Sequence, residues 1–199
     1  VEKVFAAYEN GTPIPEIAEH FADAVEKGFR ESPQVDLESL SDYEQMKSKL
    51  SMEVVSAEKN AELLESVPHE RMEDMAVVYR FVLDQTDSGN GTILVTNQLL
   101  DQYGITKEQL RADAMENAPE IRPSEIRGMS EVMSELAPGM IPEVAPEDEQ
   151  MFVATVPDKI HGAGVIAYPN FMEDAAGRMG GVFFVLPSSI HEVLLVKDN

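Results

Sequence analysis

Histidines beside carboxylates are the residues of this chain whose types and spacing could do chemistry. His69 and His191 are each followed by a glutamate, which is how the HExxH zinc motif begins. The position four residues after each histidine holds Glu73 or Leu195, so neither motif is completed. A metal site would therefore require His69, His161 and His191 to meet in space. The simpler interpretation is that they are unrelated hydrogen-bonded or surface histidines, and no cofactor or metal is predicted.

The segment 187–192 is the second place where chemistry is conceivable. Ser188, Ser189, His191 and Glu192 lie there between two strongly apolar stretches. A serine nucleophile needs a neighbouring base and an oxyanion hole, and these groups usually come from separate loops. The simpler interpretation is that the serines bond to turn amides. A metal-dependent or serine-type hydrolase with its site near this loop is nevertheless the alternative function.

The remaining candidate motif is a short glycine-rich run that could bind phosphate, His161-Gly162-Ala163-Gly164. A phosphate-binding loop needs amides that converge at the start of a helix. This run lacks a third glycine and precedes a segment with the pattern of a strand. It therefore predicts a hairpin turn rather than a nucleotide site.

The charge of the chain limits its partners. Its 199 residues hold 15 Lys and Arg against 37 Asp and Glu, a net charge of −22. Like charges repel, which argues against nucleic acid or an anionic membrane as the main partner. The absence of cysteine excludes disulfides, thiolate-bound metals and a thiol nucleophile. With no secretory signal visible, we expect a cytoplasmic location.

Much of the acidic character is concentrated in one window. Residues 128–158 hold seven Asp and Glu and no Lys or Arg. The pattern predicts an exposed acidic loop over 128–150 with one short helix around 129–136. Such a loop could meet a protein partner with a basic surface, so the main hypothesis is a protein that acts by interaction. A variant of it is an acidic mimic of nucleic acid.

The first part of the chain has the pattern of helices. A recurrent three-to-four spacing of apolar residues predicts a helix over 13–30, which Pro33 ends. The sequence Ser41-Asp42-Tyr43-Glu44 is a capping box and predicts a second helix start. A third helix is predicted over 57–65. Residues 1–70 are therefore expected to be helical.

The remainder is predicted to contain strands with inserted helices. A hairpin is expected from apolar runs at 75–83 and 92–96, and Thr106 begins the best-specified helix, which should run to about Asn117. Further strands are predicted at 151–156, 163–168, 181–186 and 192–196, and further helices at 97–103 and 170–179. The fold class is α+β: a helical N-terminal half, then a mostly antiparallel sheet of about six strands, as a single domain over 1–199 with its sheet in 72–199.

Four segments carry a resemblance to a known group of proteins. They are YENGTPIPEIAEHF, AELLESVPHERMEDMAVVYRFVL, YGITKEQLRADAMENAPE and FFVLPSSIHEVLLV. Together they resemble an uncharacterised bacterial domain-of-unknown-function family, found mainly in gut anaerobes of the Firmicutes type. The resemblance spans essentially the whole chain. It implies a bacterial, cytosolic setting and further natural sequence before Val1, and it supplies no activity or catalytic residue.

Overall fold

The computed structural model of the chain describes residues 11–30, 39–86, 89–139, 144–145 and 147–198. Contacts divide the chain into two units, Val1–Val35 with Leu83–Gly91, and Asp36–Val82 with Thr92–Asn199. The single domain expected from the sequence stays a prediction. The first unit contains helix α1, Ile14–Arg30, which confirms the helix predicted over 13–30. Its predicted end at Pro33 lies outside the described residues.

The first sheet is antiparallel and is built around one long strand. The strands are β1 Leu50–Ser56, β2 His69–Met72, β3 Met75–Thr86 and β4 Gly89–Leu94. β1 and β2 pair with opposite edges of β3, and β4 also pairs with β3. Two short helices precede and follow β1: α2 Tyr43–Met46 and α3 Ala61–Ser66. The predicted hairpin is therefore confirmed, although its loop residues 87 and 88 lie outside the described residues.

The helical first half predicted from the sequence is wrong. β1 falls within residues 1–70 and β2 begins at their end, and β1 is buried along almost its whole length. The polar side chains of Ser51 and Glu53 interrupt the apolar run and hide the strand from pattern analysis, yet both are buried. The capping box marks a real helix start, but Asp42 is the N-cap and the helix lasts only one turn.

Helices α4 Asn97–Tyr103 and α5 Lys107–Ile121 follow the first sheet. Gly104 ends α4 in the left-handed conformation, as predicted. The Thr106 hydroxyl oxygen accepts a hydrogen bond from the Gln109 amide at 3.2 Å, which confirms the predicted N-cap of α5. α5 continues past Asn117 because Pro119 is accommodated inside it. It contacts β1 and buries Leu110.

The second sheet is also antiparallel and has the strand order β5-β6-β8-β7. Its strands are β5 Glu125–Gly128, β6 Met151–Thr155, β7 Phe183–Pro187 and β8 Val193–Lys197. Helix α6, Met129–Leu136, follows β5, and helix α7, Phe171–Met179, precedes β7. The predicted hairpin of the last two strands is confirmed. Residues 140–143 and 146 of the predicted acidic loop lie outside the described residues.

One predicted strand is a helix. Residues 163–167 of the predicted strand belong to a 3₁₀ helix, Gly162–Ala167, so Gly162 and Gly164 do not form a hairpin turn. A Cβ on Gly164 would lie 2.1 Å from the carbonyl oxygen of Met52 in β1. The backbone of the 3₁₀ helix packs that closely only because glycine has no side chain. This helix contacts β1 in the first sheet and β6 in the second.

The α+β class is correct, with a different distribution of strands. The described residues form two sheets of four strands each, instead of one sheet of about six. Three strands, β1, β2 and β5, were not predicted, and one predicted strand, 163–168, is not found. No helix among the described residues is long and apolar enough to cross a membrane.

Candidate functional site

A buried carboxylate on β1 is the centre of the site. Glu53 is 5% exposed and pairs with Val78 of β3 in the sheet. One of its carboxylate oxygens binds Nε of Arg80, and the other lies 2.7 Å from Nδ1 of His161. Arg80 also donates to the Thr92 hydroxyl at 3.3 Å. Glu53 thus joins the first sheet to the residue that precedes the 162–167 3₁₀ helix.

The turn that carries His161 is held by Arg122. Nη2 of Arg122 donates to Oδ1 of Asp158 at 2.6 Å and also to the carbonyl oxygen of Ile160. Lys159 and His161 both adopt left-handed backbone angles, with φ of 58° and 53°. Such angles cost free energy in residues other than glycine and persist only where surrounding contacts impose them. The fixed turn therefore sets the position of the His161 ring.

The backbone of His161 is bonded to a second histidine. Its amide N–H donates to Nδ1 of His191 at 3.1 Å, and the two rings lie 5.6 Å apart with their planes tilted by 41°. Nδ1 of His191 must be unprotonated to accept this bond, so the neutral ring carries its proton on Nε2. Nδ1 of His161 faces a carboxylate and is therefore the protonated nitrogen, which leaves a lone pair on its Nε2. These tautomers are assigned from the hydrogen-bond partners.

Gly162 lets the two histidine segments meet. A Cβ at this position would lie 2.2 Å from the Thr155 hydroxyl and 2.6 Å from the carbonyl oxygen of His191. The Thr155 hydroxyl donates to that same carbonyl at 2.7 Å. The Ala163 amide donates to the carbonyl of Ile190 at 3.2 Å. The loop between β7 and β8 is therefore attached to the start of the 3₁₀ helix.

The charge state of His161 follows from its surroundings. Burial lowers the pKa of His161 from its ordinary value of 6.5, and the charge of Glu53 opposes that shift. The positive charges of Arg80 and Arg122 lower the pKa further. His161 is therefore neutral at pH 7.

The serines of the β7–β8 loop form turn bonds. The Ser189 hydroxyl oxygen accepts from the His191 amide at 3.0 Å, and the Ser189 amide donates to the Glu192 carbonyl at 3.2 Å. The Ser188 hydroxyl donates to the Glu192 carboxylate at 3.3 Å. The four predicted residues Ser188, Ser189, His191 and Glu192 thus meet one another, but neither serine bonds to an imidazole nitrogen.

His69 lies away from this group. His69 of β2 pairs with Val78 of β3, and Glu53 of β1 pairs with the same residue from the opposite side of β3. The side chains of His69, Val78 and Glu53 therefore share one face of the sheet. Two strand spacings separate the Cα atoms of His69 and Glu53 by about 10 Å. Nδ1 of His69 lies 3.1 Å from the carbonyl oxygen of Val67. Within the described residues, no group of three or more His, Asp or Glu could hold a metal ion.

Sequence analysis missed Glu53, Arg80 and Arg122 as members of the site. The available signal for Glu53 was a single carboxylate inside an apolar run, which strands bury only when it is paired. Nothing in the sequence identifies its partners, since Arg80 is 27 residues away and His161 is much further along the chain.

A strip of exposed apolar side chains lies along β7, and we call it the apolar strip. It consists of Val182, Phe184 and Leu186, which are 73%, 53% and 46% exposed. Alternate residues of a strand point to the same face, so Phe184 and Leu186 share one face of β7, and Val182 directly precedes the strand. β7 is the last strand of its sheet, and no other strand in the described part of the chain pairs with its outer edge.

Carboxylates lie at both ends of the apolar strip. The amide of Asp198 donates to the carbonyl of Val182 at 3.1 Å, and Glu192 follows β7 at the other end. Nζ of Lys197 donates to the carbonyl of Glu147 at 3.3 Å, so the exposed residues Glu147 and Asp148 lie near the first residues of β7. Lys197 pairs with Phe183, whose side chain lies on the opposite face of β7 from the apolar strip.

Other acids of the 128–158 window bind partners within the chain. Arg127 binds Glu131 at 2.9 Å and also binds Glu135. This contact lowers the pKa of the Glu135 carboxyl from its ordinary value. Glu149 is buried and accepts from the Ser130 amide at 3.1 Å, at the start of α6. Among the described acids of this window, Glu147 and Asp148 are exposed.

Comparison with known proteins gives a family without a known activity. A profile described as that of a family of unknown function matches residues 1–199. No curated protein and no solved structure matches the chain.

Proposed function

The chain belongs to a family of unknown function (DUF5688) over its whole length, and on this premise we propose that it is a protein-binding module. Its ligand is an extended segment of a partner protein with a basic surface, which adds as a strand to the outer edge of β7. The observation that carries the proposal is the apolar strip on an edge strand. An edge strand offers unpaired N–H and C=O groups, and exposed apolar side chains on it favour association.

The charges beside β7 define the partner. Asp198, Glu147 and Asp148 lie near the first residues of β7, together with the cation Lys197, and Glu192 lies near the other end. A segment with apolar residues at alternate positions and Lys or Arg at its ends complements this arrangement. We place this activity in the bacterial cytoplasm, which the sequence resemblance and the lack of cysteine favour.

A second copy of the chain is a poor ligand for the same edge. Antiparallel pairing of two β7 strands would bring the Val182 end of one copy to the Pro187 end of the other. Glu147 and Asp148 of one copy would then approach Glu192 of its partner, and like charges in close pairs destabilise a sheet. The net charge of −22 on each chain adds to this repulsion.

The test uses two synthetic peptides with the same alternating Val and Thr core. One peptide has lysines at both ends and the other has glutamates. We expect the lysine peptide to shift the NMR signals of the β7 amides and the glutamate peptide to leave them unchanged. Leu186→Ser should weaken binding. Met172→Ser is the control, since Met172 is similarly exposed, at 44%, but lies on α7 and not on β7, so this substitution should leave binding unchanged.

Three results would contradict the proposal. They are unchanged β7 amides with the lysine peptide, equal binding of both peptides, and equal effects of the two serine variants. β7 signals that shift with protein concentration alone would instead identify a second copy as the ligand.

A second candidate function is ester or amide hydrolysis near the β7–β8 loop, which the pairing of His161 with His191 favours. The lone pair on Nε2 of His161 could take a proton from water as the water oxygen attacks the carbonyl carbon. The same nitrogen would then return that proton to the leaving group. His161→Gln should abolish hydrolysis of a nitrophenyl ester while His69→Gln leaves it unchanged, and equal rates would exclude this function.

A further inference from the structure

The backbone of β7 has two kinds of residue, which alternate along the strand. In an antiparallel pair, one kind exchanges backbone hydrogen bonds with the strand opposite, and the other directs its N–H and C=O groups away from that strand. The Asp198 amide donates to the Val182 carbonyl at 3.1 Å, so Val182 is of the first kind. Phe184 and Leu186, two and four positions further on, are therefore bonded to β8 as well.

A hydrogen bond on the other side of β8 supports this assignment. Lys197 of β8 lies opposite Phe183, and its amide donates to the Gln150 carbonyl, next to β6, at 3.0 Å. The Lys197 amide therefore points away from β7. It follows that Phe183 and Val185 direct their backbone N–H and C=O groups to the outer edge of β7, with which no strand in the described part of the chain pairs.

The row of donors on this edge is closed at both ends. By the same alternation the backbone of Pro187 faces outward, but proline has no N–H to donate. At the other end, the amide of Gly181 already donates to the Ala176 carbonyl of α7 at 3.1 Å. A residue that is fully bonded to an antiparallel neighbour uses both its N–H and its C=O. The edge therefore offers two complete positions for an added strand, Phe183 and Val185.

The side chains of an added strand are placed by the same geometry. Each strand pair of the second sheet is antiparallel, and parallel pairing is slightly less stable per residue, so antiparallel addition is favoured. Residues that lie opposite each other point to the same face of a sheet. Partner residues opposite Phe184 and Leu186 thus cover the apolar strip. Partner residues bonded to Phe183 and Val185 point to the other face.

We infer that the partner segment adds antiparallel to β7 in a single register, which Gly181 and Pro187 bound. Two residues of the segment, separated by one position, exchange backbone hydrogen bonds with Phe183 and Val185. The residues beside and between them are apolar and cover the apolar strip. Recognition therefore needs backbone N–H groups at the positions that the apolar residues do not occupy. This inference rests on the proposed function, whereas the direction of the β7 amides does not.

The direction of the β7 amides is tested on the full chain without a ligand. Hydrogen exchange followed by NMR should show slow exchange at Phe184 and Leu186, which are bonded to β8. The amides of Phe183 and Val185 should exchange at least about tenfold faster. Equal protection of all four amides would overturn the inferred register, whether or not a peptide binds.

The orientation of the segment is tested with N-methylated forms of the lysine peptide, given the core Val-Thr-Val-Thr-Val. Methylation of both threonine amides removes the donors to the carbonyls of Phe183 and Val185. We expect it to weaken binding by about thirtyfold, for the loss of two hydrogen bonds. Methylation of the first two valine amides is the matched control. These amides point away from β7, so the affinity should change by less than about threefold.

The possible results separate this inference from the proposed function. An equal loss from the two methylations, or a larger loss from the valine amides, would overturn antiparallel addition in this register while binding to β7 stands. The larger loss from valine would identify parallel addition, in which the intervening residues donate. An unmodified lysine peptide that leaves the β7 amides unchanged would overturn the proposed function, and the inferred register of the partner with it.

The role of Pro187 is tested by lengthening the peptide. One threonine added before the first valine lies opposite Pro187 in the inferred register. Pro187→Ala supplies the missing N–H, so the added threonine should raise the affinity about fivefold more in this variant than in the wild type, for one further hydrogen bond. The same gain in both proteins would show that Pro187 does not bound the added strand.

Discussion

Nδ1 of His161 lies 2.7 Å from a carboxylate oxygen of Glu53. This contact bonds the turn that precedes the 3₁₀ helix to β1 of the first sheet. The side chain of Glu53 is 6% exposed and also binds Arg80. A buried charge stabilises a structure only while its partners are present, so loss of either partner of Glu53 should destabilise the fold.

Replacing Glu53 by glutamine should lower the free energy of unfolding by about 3 kcal/mol, because Arg80 would lose its counter-ion in a largely buried position. Urea unfolding followed by circular dichroism measures the change. Glu44→Gln is the control, since Glu44 binds Lys47 with 75% of its side chain exposed, and it should change stability by less than about 0.5 kcal/mol. Similar effects of the two substitutions would contradict the assignment of Glu53 as a buried partner.

The stability of the protein should fall as the pH falls below 6.5. Burial lowers the pKa of His161 beneath that value, so the unfolded chain binds its proton more readily than the folded one. The stabilisation is present above pH 6.5 and is lost as the pH falls towards the lowered folded pKa. Urea unfolding at a series of pH values should show this slope, and His161→Gln should reduce it. An identical slope in the variant would refute the prediction.

Gly164→Ala should destabilise the protein by about 1–3 kcal/mol, because the added Cβ would lie 2.1 Å from the Met52 carbonyl and backbone would have to move. Gly177→Ala is the matched change on α7, where a Cβ meets no atom within 4 Å. There the substitution should raise stability by about 0.5–1 kcal/mol, since alanine favours a helix interior. Thermal unfolding of both variants gives the comparison, and a neutral Gly164→Ala would show that the close packing is dispensable.

Tyrosine ionisation should be delayed in the folded protein. Burial raises the pKa of Tyr168 to about 12 and raises the pKa values of Tyr43, Tyr79 and Tyr103 above their ordinary value of 10. Tyr43 also donates to Asp113 at 2.6 Å, which favours its protonated form. Tyrosinate absorbance should therefore rise at higher pH than in urea-unfolded chain.

The same shifts carry a consequence for alkaline stability. A raised folded pKa contributes stability that is fully present below pH 10 and is lost as the pH rises through the folded value. The free energy of unfolding should therefore decrease above pH 10. Coincident titration curves for folded and unfolded chain would contradict both expectations.

Local signals predicted local structure well. The N-cap Thr106, the left-handed Gly104 and the paired strands β7 and β8 are all fixed by neighbours in sequence, and each is found as expected. Capping and turn chemistry act over a few residues, so they can be read from a single chain.

Positions that depend on distant partners were not predictable. β1 contains Glu53, whose charge is tolerated only because Arg80 and His161 bind it. The segment 163–168 has the apolar, β-branched pattern of a strand, yet Gly162 and Gly164 let it pack as a 3₁₀ helix against two sheets. In both cases tertiary contacts override the local pattern, and the candidate site lies where they do so.

The contact of Gly164 with Met52 has a consequence for biosynthesis. It joins residues that lie 112 positions apart in the sequence, so it cannot form until Gly164 has been synthesised. Closing a loop of that length costs about 4 kcal/mol of chain entropy. β1, an outer strand that pairs only with β3 in the described part of the first sheet, therefore stays uncovered during most of translation and could pair with other nascent chains. The covering of β1 by residues 162–167 is therefore a late step in the folding of the newly made chain.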